Sequence, residues 1–439
     1  MKKTLYPLLL LICMQIATAY PTITEINPAI DSLMKQVNIN SLETKIRYLQ
    51  NLGPRPRIDT GKYVELHKNN ITAKNWLYQQ YLENGKLDVY YNHFLPENKC
   101  DTSWSNSMNI VAVQKGTEYP DKYIIICGHF DTGYEPLLGS IYESPGADDN
   151  ASGTAAVLEI ARILREHKFK RSIIYLNTNG EEIMFKPGMG GSRSFARNCK
   201  ENDIDIIVVF NLDMIGYNPI GEPLKIYYND FYHMPKFIEF GKYFSKIANL
   251  YLSKIKSLPT VDKYPLNGYG FGDDTYFNYY NYPAMYIGTP LGIKDWGRYG
   301  NYFPCYHRDC DTIGIGKKDA GVNSMELVKA YTQATLVAVV ELAELDLIGI
   351  KEEAPINCFV SPNPANKDVT LTLYLADACN LDITLNNILG QEIIKIHNGF
   401  VDAGTFIKTF SIEALLTGMY YIQYIENNNI VKNIKLIKE

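Results

Sequence analysis

Tyr123-Ile124-Ile125-Ile126-Cys127-Gly128-His129-Phe130-Asp131 is the stretch that decides the fold class. A short apolar run that stops at Gly and polar residues reads as a strand buried on both faces, as in a mostly parallel sheet covered by helices. Three more such runs follow, at residues 173–176, 206–210 and 284–287. Between the first two, Leu158, Ala161 and Leu164 fit one helix face, which predicts a helix over residues 154–167. A second long helix is expected over residues 324–345. Upstream, residues 36–94 carry helix-like spacing through Leu42, Ile46, Leu49, Trp76, Leu77, Tyr81 and Leu82. Gly53-Pro54-Arg55-Pro56 breaks any helix between them. The fold class is therefore α/β, with a mostly parallel sheet.

Outward from this core both ends change character. Past Lys351-Glu352-Glu353-Ala354-Pro355, Val369, Leu371, Leu373 and Leu375 alternate with polar positions, and Leu381, Ile383 and Leu385 repeat the pattern. That is the period of half-buried strands. Asn427-Asn428-Asn429 reads as the turn of a final hairpin. At the other end, Lys2 and Lys3, a short apolar run to Ile16 and Ala17-Thr18-Ala19 make the three parts of a secretory signal peptide. The run is shorter than the ~20 residues a spanning helix needs, and no later segment is apolar enough to span. Removal of residues 1–19 takes away Cys13 and leaves seven cysteines in an oxidising compartment.

Composition sets the outer limits. The chain has 439 residues, 46% hydrophobic and 21% charged, with a net charge of −5. The apolar content supports a buried core. The acidic balance argues against a nucleic-acid binder.

The ends of the buried runs carry the chemistry. Gly128-His129-Phe130-Asp131 follows the first, and Pro145-Gly146-Ala147-Asp148-Asp149-Asn150-Ala151-Ser152-Gly153 opens the next helix. Glu181-Glu182 follows the second run and Asn211-Leu212-Asp213 the third, while Cys305-Tyr306-His307 leads into Asp311-Thr312. In open α/β sheets, sites form outside the carboxyl ends of the strands. Two histidines and several carboxylates meeting there are a zinc ligand mix. Each piece alone has a simpler reading, since an Asp after a strand is usually a loop residue or helix cap. Asp148, Asp149 and Asn150 would serve as such caps. Five such elements in this order are poorly explained by coincidence.

In this order the motifs resemble those of the secreted bacterial leucyl aminopeptidase family of two-zinc exopeptidases, over residues 38–346. The resemblance implies a three-layer zinc-exopeptidase fold with a central mixed, mostly parallel sheet. It implies that His129 and Asp213 bind one zinc, Glu182 and His307 the other, and that Asp149 bridges the two. Asp148 falls on the motif's variable position. Glu181 matches the general base, and Asp131 the carboxylate that holds the imidazole of His129. For His307, Asp311 is the weaker candidate for that part. Some family members join cysteines spaced as Cys305 and Cys310 in a disulfide, and Tyr306 then matches a tyrosine that stabilises the oxyanion. Others take that tyrosine from an earlier loop, where Tyr269 would match. The bare sequence also allows two free thiols or thiolate ligands. Two departures stand out: a longer loop after Glu182, and Gly272-Asp273-Asp274 where the family has Ser-Asp-His, which leaves Asp273 outside the metal set.

Residues 357–439 resemble the type IX secretion C-terminal sorting domain, through Ser361-Pro362-Asn363-Pro364-Ala365, Leu389-Gly390-Gln391-Glu392 and Gly418-Met419-Tyr420-Tyr421. This implies a small all-β sandwich, a Gram-negative source, passage through the periplasm, and release to the medium or the cell surface by the outer-membrane secretion machinery. The expected division is a signal peptide (1–19), a catalytic domain (20–350), a linker (351–356) and a sorting domain (357–439). Cys358 and Cys379 are a candidate pair in or near the last. The leading expectation is an exported aminopeptidase acting on peptide or protein N-termini. The alternatives are a glutaminyl cyclase, a single-zinc acyltransferase on the same fold, and a surface-binding protein with an inactive site. Tyr269, Phe271, Tyr276 and Phe277 line a specificity pocket or belong to the core.

Overall fold

The computed structural model describes residues 20–21, 23–56, 64–94, 107–133, 144–183, 190–218, 220, 225–229, 235–253, 260–263, 272–289, 304–346, 359–375, 378–386, 392–426 and 429–439. The signal peptide, the linker, the loop after Ile183, Tyr269, Phe271, Cys358, residues 387–391 and the turn residues Asn427 and Asn428 lie outside them. The chain divides into two compact units, one ending at Asp346 and one beginning at Leu347.

Among the described residues, the first unit is built on eight strands: β1 (Asp88–His93), β2 (Met108–Gln114), β3 (Tyr119–His129), β4 (Arg171–Thr178), β5 (Asp205–Leu212), β6 (Lys225–Asn229), β7 (Thr260–Lys263) and β8 (Ala284–Ile287). Their order in the sheet is β1-β2-β4-β3-β5-β8-β6-β7. The four central strands β4, β3, β5 and β8 are parallel, and antiparallel pairings set in toward both sides. Each predicted apolar run lies in one of these four. The period of two explains why they are apolar throughout. Ile124 and Ile126 pack into one core layer, and Ile125 and Cys127 into the other.

Among the described residues, eight helices cover the sheet: α1 (Pro28–Met34), α2 (Ile39–Asn51), α3 (Val64–Leu82), α4 (Gly153–Leu164), α5 (Gly191–Glu201), α6 (Pro235–Leu252), α7 (Asp273–Tyr279) and α8 (Met325–Ala343). Side chains of α1, α2, α3, α4, α6 and α8 share the larger core layer, while α5 and α7 pack on the other face. The result is a three-layer sandwich. Ser324 caps α8 by accepting from the Leu327 amide, which fixes its start where the sequence placed it.

Two expectations need correction. The helical reading of residues 36–94 ran through β1, whose exposed edge position leaves no apolar run to detect. The helix over 154–167 stops at Leu164, and its core contact is not one face, because every residue of α4 but Arg162 is buried.

In the sheet, β3 has β4 on one side and β5 on the other, with the chain leaving β3 through α4 and β4 through α5. The crevice beyond the end of β3 is thus the topological switch point. Register aligns the ends: His129 pairs with Thr178, and Cys127 pairs with Asn211, which puts His129 level with Asp213.

The second unit has a three-stranded sheet in the order β13-β10-β9 and a four-stranded sheet in the order β12-β11-β14-β15. Their ranges are β9 (Phe359–Ser361), β10 (Asp368–Leu375), β11 (Cys379–Asn386), β12 (Glu392–Val401), β13 (Gly404–Ser411), β14 (Gly418–Glu426) and β15 (Asn429–Lys438). The pairings between these strands are antiparallel. Val369, Leu371, Leu373 and Leu375 from one sheet meet Leu381, Ile383 and Leu385 from the other in a common core, as the alternation predicts for a sandwich. Among the described residues no helix is long and apolar enough to cross a membrane.

Candidate metal centre

Strand ends and the turns after them bring the predicted residues together. His129 is the last residue of β3, Asp213 follows β5, and Glu181 and Glu182 lie in a short 3-10 turn after β4. Asp149 sits in a kinked turn over Ala147–Ser152 that enters α4, with a cis peptide to Asn150. His307 comes from the loop closed by a Cys305–Cys310 disulfide, with its backbone at φ 54°.

Asp149 lies between the two histidines. Its Oδ1 is 3.3 Å from His129 Nε2 and its Oδ2 is 3.2 Å from His307 Nε2. Asp213 Oδ1 lies 3.4 Å from His129 Nε2, and Glu182 Oε2 lies 2.8 Å from His307 Nε2. Glu181 Oε2 stands 3.9 Å from His129 Nε2. Three overlapping ligand groups result: His129, Asp149 and Asp213; Asp149, Glu182 and His307; and His129, Glu181 and Glu182. His129 Nε2, His307 Nε2, Asp213 Oδ1 and Glu182 Oε1 are buried without a hydrogen-bond partner. Buried polar atoms are normally paired. Imidazole nitrogens and carboxylate oxygens left bare and converging are a donor set that fits zinc.

The electrostatics point the same way. Burial, reinforced by Asp149, pushes the Glu182 carboxyl up to about 8. Burial likewise raises Glu181 well above the usual carboxylate range, with Glu182, Asp213 and Asp273 adding to it. Burial opposes a charged His129, yet Asp213, Asp131 and Asp149 lift its imidazole well above the ordinary value. Burial also opposes ionisation of Asp149, but the adjacent His129 and His307 imidazoles hold its carboxyl well below the usual range. Crowded acids of this kind call for positive charge, which divalent ions supply.

Asp131 does more than the sequence indicated. Its Oδ1 lies 3.5 Å from His129 Nδ1, while its two carboxylate oxygens accept from the amides of Glu181 and Glu182, both at 3.3 Å. His129 Nδ1 hydrogen-bonds the Asp131 backbone carbonyl at 3.2 Å, so Asp131 ties the β3 ligand to the β4 turn through its carbonyl and its carboxylate together. Tyr306 stacks on the His307 ring, with centroids 3.7 Å apart. Asp273 and Asp274 are buried beside the site, where Asp273 accepts from the Thr178 hydroxyl and Asp274 from the Asn211 amide. Burial raises them to about 6 and about 7. Tyr276 is half-buried and Phe277 is core.

Asp311 is corrected. Its Oδ1 accepts from the Asp148 amide at 2.8 Å and its Oδ2 from the Asp149 amide at 3.1 Å, so both oxygens are engaged by the bridging turn. His307 Nδ1 is left without a hydrogen-bond partner. The capping reading applies to Asn150, whose Oδ1 accepts from the Gly153 amide. Asp148 instead accepts from the Gly216 amide at 2.7 Å. Gly133 carries no motif of its own, yet a Cβ on it would lie 2.3 Å from the ring of His307.

Residues 109–332 match the model of peptidase family M28. The chain belongs to this family. Residues 360–439 match the model of the secretion system C-terminal sorting domain, which implies export to the medium or the cell surface. A probable zinc metalloprotease of Pyrenophora tritici-repentis is 30% identical over 195 residues, covering 43% of this chain and 44% of that protein. This chain thus spans less than half the length of that relative. The LapA aminopeptidase of Legionella pneumophila superposes with a TM-score of 0.55 at 20% identity, covering 78% of this chain and 80% of its own. The aminopeptidase from Aneurinibacillus sp. strain AM-1 gives 0.50 at 14% identity, with 72% and 96% covered. The M28 chain shares with them the zinc-exopeptidase fold.

Proposed function

We propose that this M28 protein is an exported two-zinc aminopeptidase that hydrolyses N-terminal residues from peptides. The observation that carries the reading is Asp149, which turns one carboxylate oxygen to His129 and the other to His307. That placement favours two ions sharing one bridging ligand over the single zinc of a glutaminyl cyclase. His129 and Asp213 would hold one ion, and Glu182 and His307 the other. When bound, the ions would supply Lewis-acid charge and make a water acidic enough to ionise near neutral pH.

The protein's own groups then have distinct tasks. Glu181 takes the proton of the attacking water and delivers it to the departing amine. Asp131 fixes the His129 ring and the backbone of Glu181, so the base and the ligand keep a constant relation. Tyr306, stacked on His307, is assigned to hold the developing oxyanion. The acids Glu181 and Asp213 form a negative wall suited to the substrate's protonated amino group. Residues 1–19 are assigned as the cleaved signal peptide, 20–350 as the catalytic domain, 351–356 as the linker and 357–439 as the sorting domain handed to the type IX machinery by way of the periplasm.

Hydrolysis of aminoacyl chromogenic substrates by the zinc-loaded protein tests this. Glu181→Ala is expected to lose activity by about 10²–10⁴-fold, the usual worth of a positioned general base, and to retain two zinc ions. Undiminished turnover would sink the assignment of the base. One zinc per chain, with cyclisation of N-terminal glutamine peptides, would replace the reading by the cyclase.

A further inference from the structure

Arg55 lies in the stretch that the sequence marked only as a helix breaker. It is fully buried. Its guanidinium donates to five backbone carbonyls: Nε to Phe130 at 3.0 Å, Nη1 to Leu49, Gly53 and Pro145 at 2.7, 3.1 and 2.6 Å, and Nη2 to Gly146 at 3.1 Å. Phe130 stands between His129 and Asp131, and Pro145 and Gly146 immediately precede the turn that carries Asp149. The fork therefore spans two ligand-bearing segments that are distant in sequence.

The backbone of Arg55 extends the link. Its amide donates to Thr132 Oγ1 at 2.8 Å, and its carbonyl accepts from Asn70 Nδ2 at 2.9 Å. Asn70 and Asn179 exchange paired side-chain hydrogen bonds, both 3.1 Å, two residues before Glu181. Gly146 has φ 61°, and a Cβ there would lie 2.9 Å from the Arg55 guanidinium and 2.6 Å from the Asp149 carbonyl. The chain is threaded closely around the arginine. A buried cation without a counter-charge is unfavourable. The negative groups that act on this one are Asp311, Asp131 and Asp149, all parts of the metal centre or its support.

We propose that Arg55 is a positioning residue of the metal centre: its five-carbonyl fork holds the His129–Asp131 segment and the Asp149 turn at the spacing that two bound ions require. The proposal rests on the two-zinc reading above. It assigns the effect to the geometry of the fork. Lysine keeps the charge, but its single ammonium has three donors on one point and cannot span the same acceptors.

Zinc affinity of the full chain decides it, measured by competition with a chromophoric chelator, alongside thermal melts of metal-free and zinc-loaded protein. Arg55→Lys and Arg55→Met are both expected to bind zinc about 10–100-fold more weakly, the usual effect of losing a group that orients metal ligands. A merely structural role would lower both melting temperatures equally and leave zinc affinity unmoved, which would overturn the proposal. Full recovery of affinity by lysine would also overturn it, in favour of charge alone. Should neither variant fold, Thr132→Val removes only the acceptor for the Arg55 amide. It is expected to weaken zinc several-fold, and wild-type affinity in that variant would count against the proposal. If the wild-type protein binds no zinc, the two-zinc reading fails first, and the two failures remain distinct.

Discussion

At the scale of single residues, the centre depends on an absence of atoms as much as on ligands. Gly133 follows the His129–Asp131 segment and lies so close to His307 that a methyl group would stand 2.3 Å from ring carbon Cδ2. Carbon atoms in contact sit about 3.5–4.0 Å apart, so the ring would have to move by more than an ångström. Metal ligands tolerate only about 0.2 Å. Gly133→Ala is therefore expected to empty the His307–Glu182 side of the centre while the His129–Asp213 side keeps its ion. On the two-zinc reading, metal analysis should fall from two zinc ions per chain toward one, with a loss of the proposed peptidase activity. Two ions at wild-type affinity would show that the loop of His307 adapts, and the argument from close approach would fail. The residues proposed as ligands were legible in the sequence, because each ends or follows a recognisable apolar run or opens a motif. Gly133, Arg55 and the true work of Asp311 were not, since they act through contacts with backbone or rings tens of residues away. Backbone carbonyls leave no mark in a sequence.

At the scale of elements, α4 illustrates what periodicity reads and what it misses. Leu158, Ala161 and Leu164 were a correct part of its buried surface, but Glu159 is buried as well, between α4 and the start of α2. It accepts from the Asn38 amide, the Ser41 hydroxyl, Lys45 and Arg162. No pattern within α4 announces such a residue, because three of its partners lie more than 110 positions away. Burial works against the charged carboxylate, yet Arg162, Lys45 and Ser41 bring its pKa down to about 2. The ordinary value is near 4.5, so the folded state binds this proton less well than the unfolded chain does. Stability from Glu159 is thus present above about pH 4.5 and disappears as pH falls toward 2. The shift corresponds to on the order of 3 kcal/mol, partly offset by Lys45, whose pKa burial lowers. In metal-free protein, where loss of zinc does not enter, Glu159→Gln is expected to melt below wild type at pH 7. The gap should narrow steadily below pH 4.5. Parallel melting curves across that range would rule out a linkage through Glu159.

At the scale of the whole molecule, the core clusters of the first unit and that of the second have no residue in common among the described residues. All residues assigned to the metals, the base, the disulfide and the Arg55 fork fall before Asp346, inside the first unit. The second unit closes its own sandwich with the apolar faces of its two sheets, which the alternation in β10 and β11 had announced. A domain with its own core is expected to fold by itself. Protein ending near residue 350 should therefore bind two zinc ions and hydrolyse aminoacyl substrates with kcat/KM within about twofold of the full chain. It should also keep the melting transition that zinc raises, because a ligand stabilises only the unit that binds it. In the full chain, chelation should shift that transition and leave any transition of the sorting unit in place. A truncated protein that loses zinc or unfolds would show that the first unit needs the second.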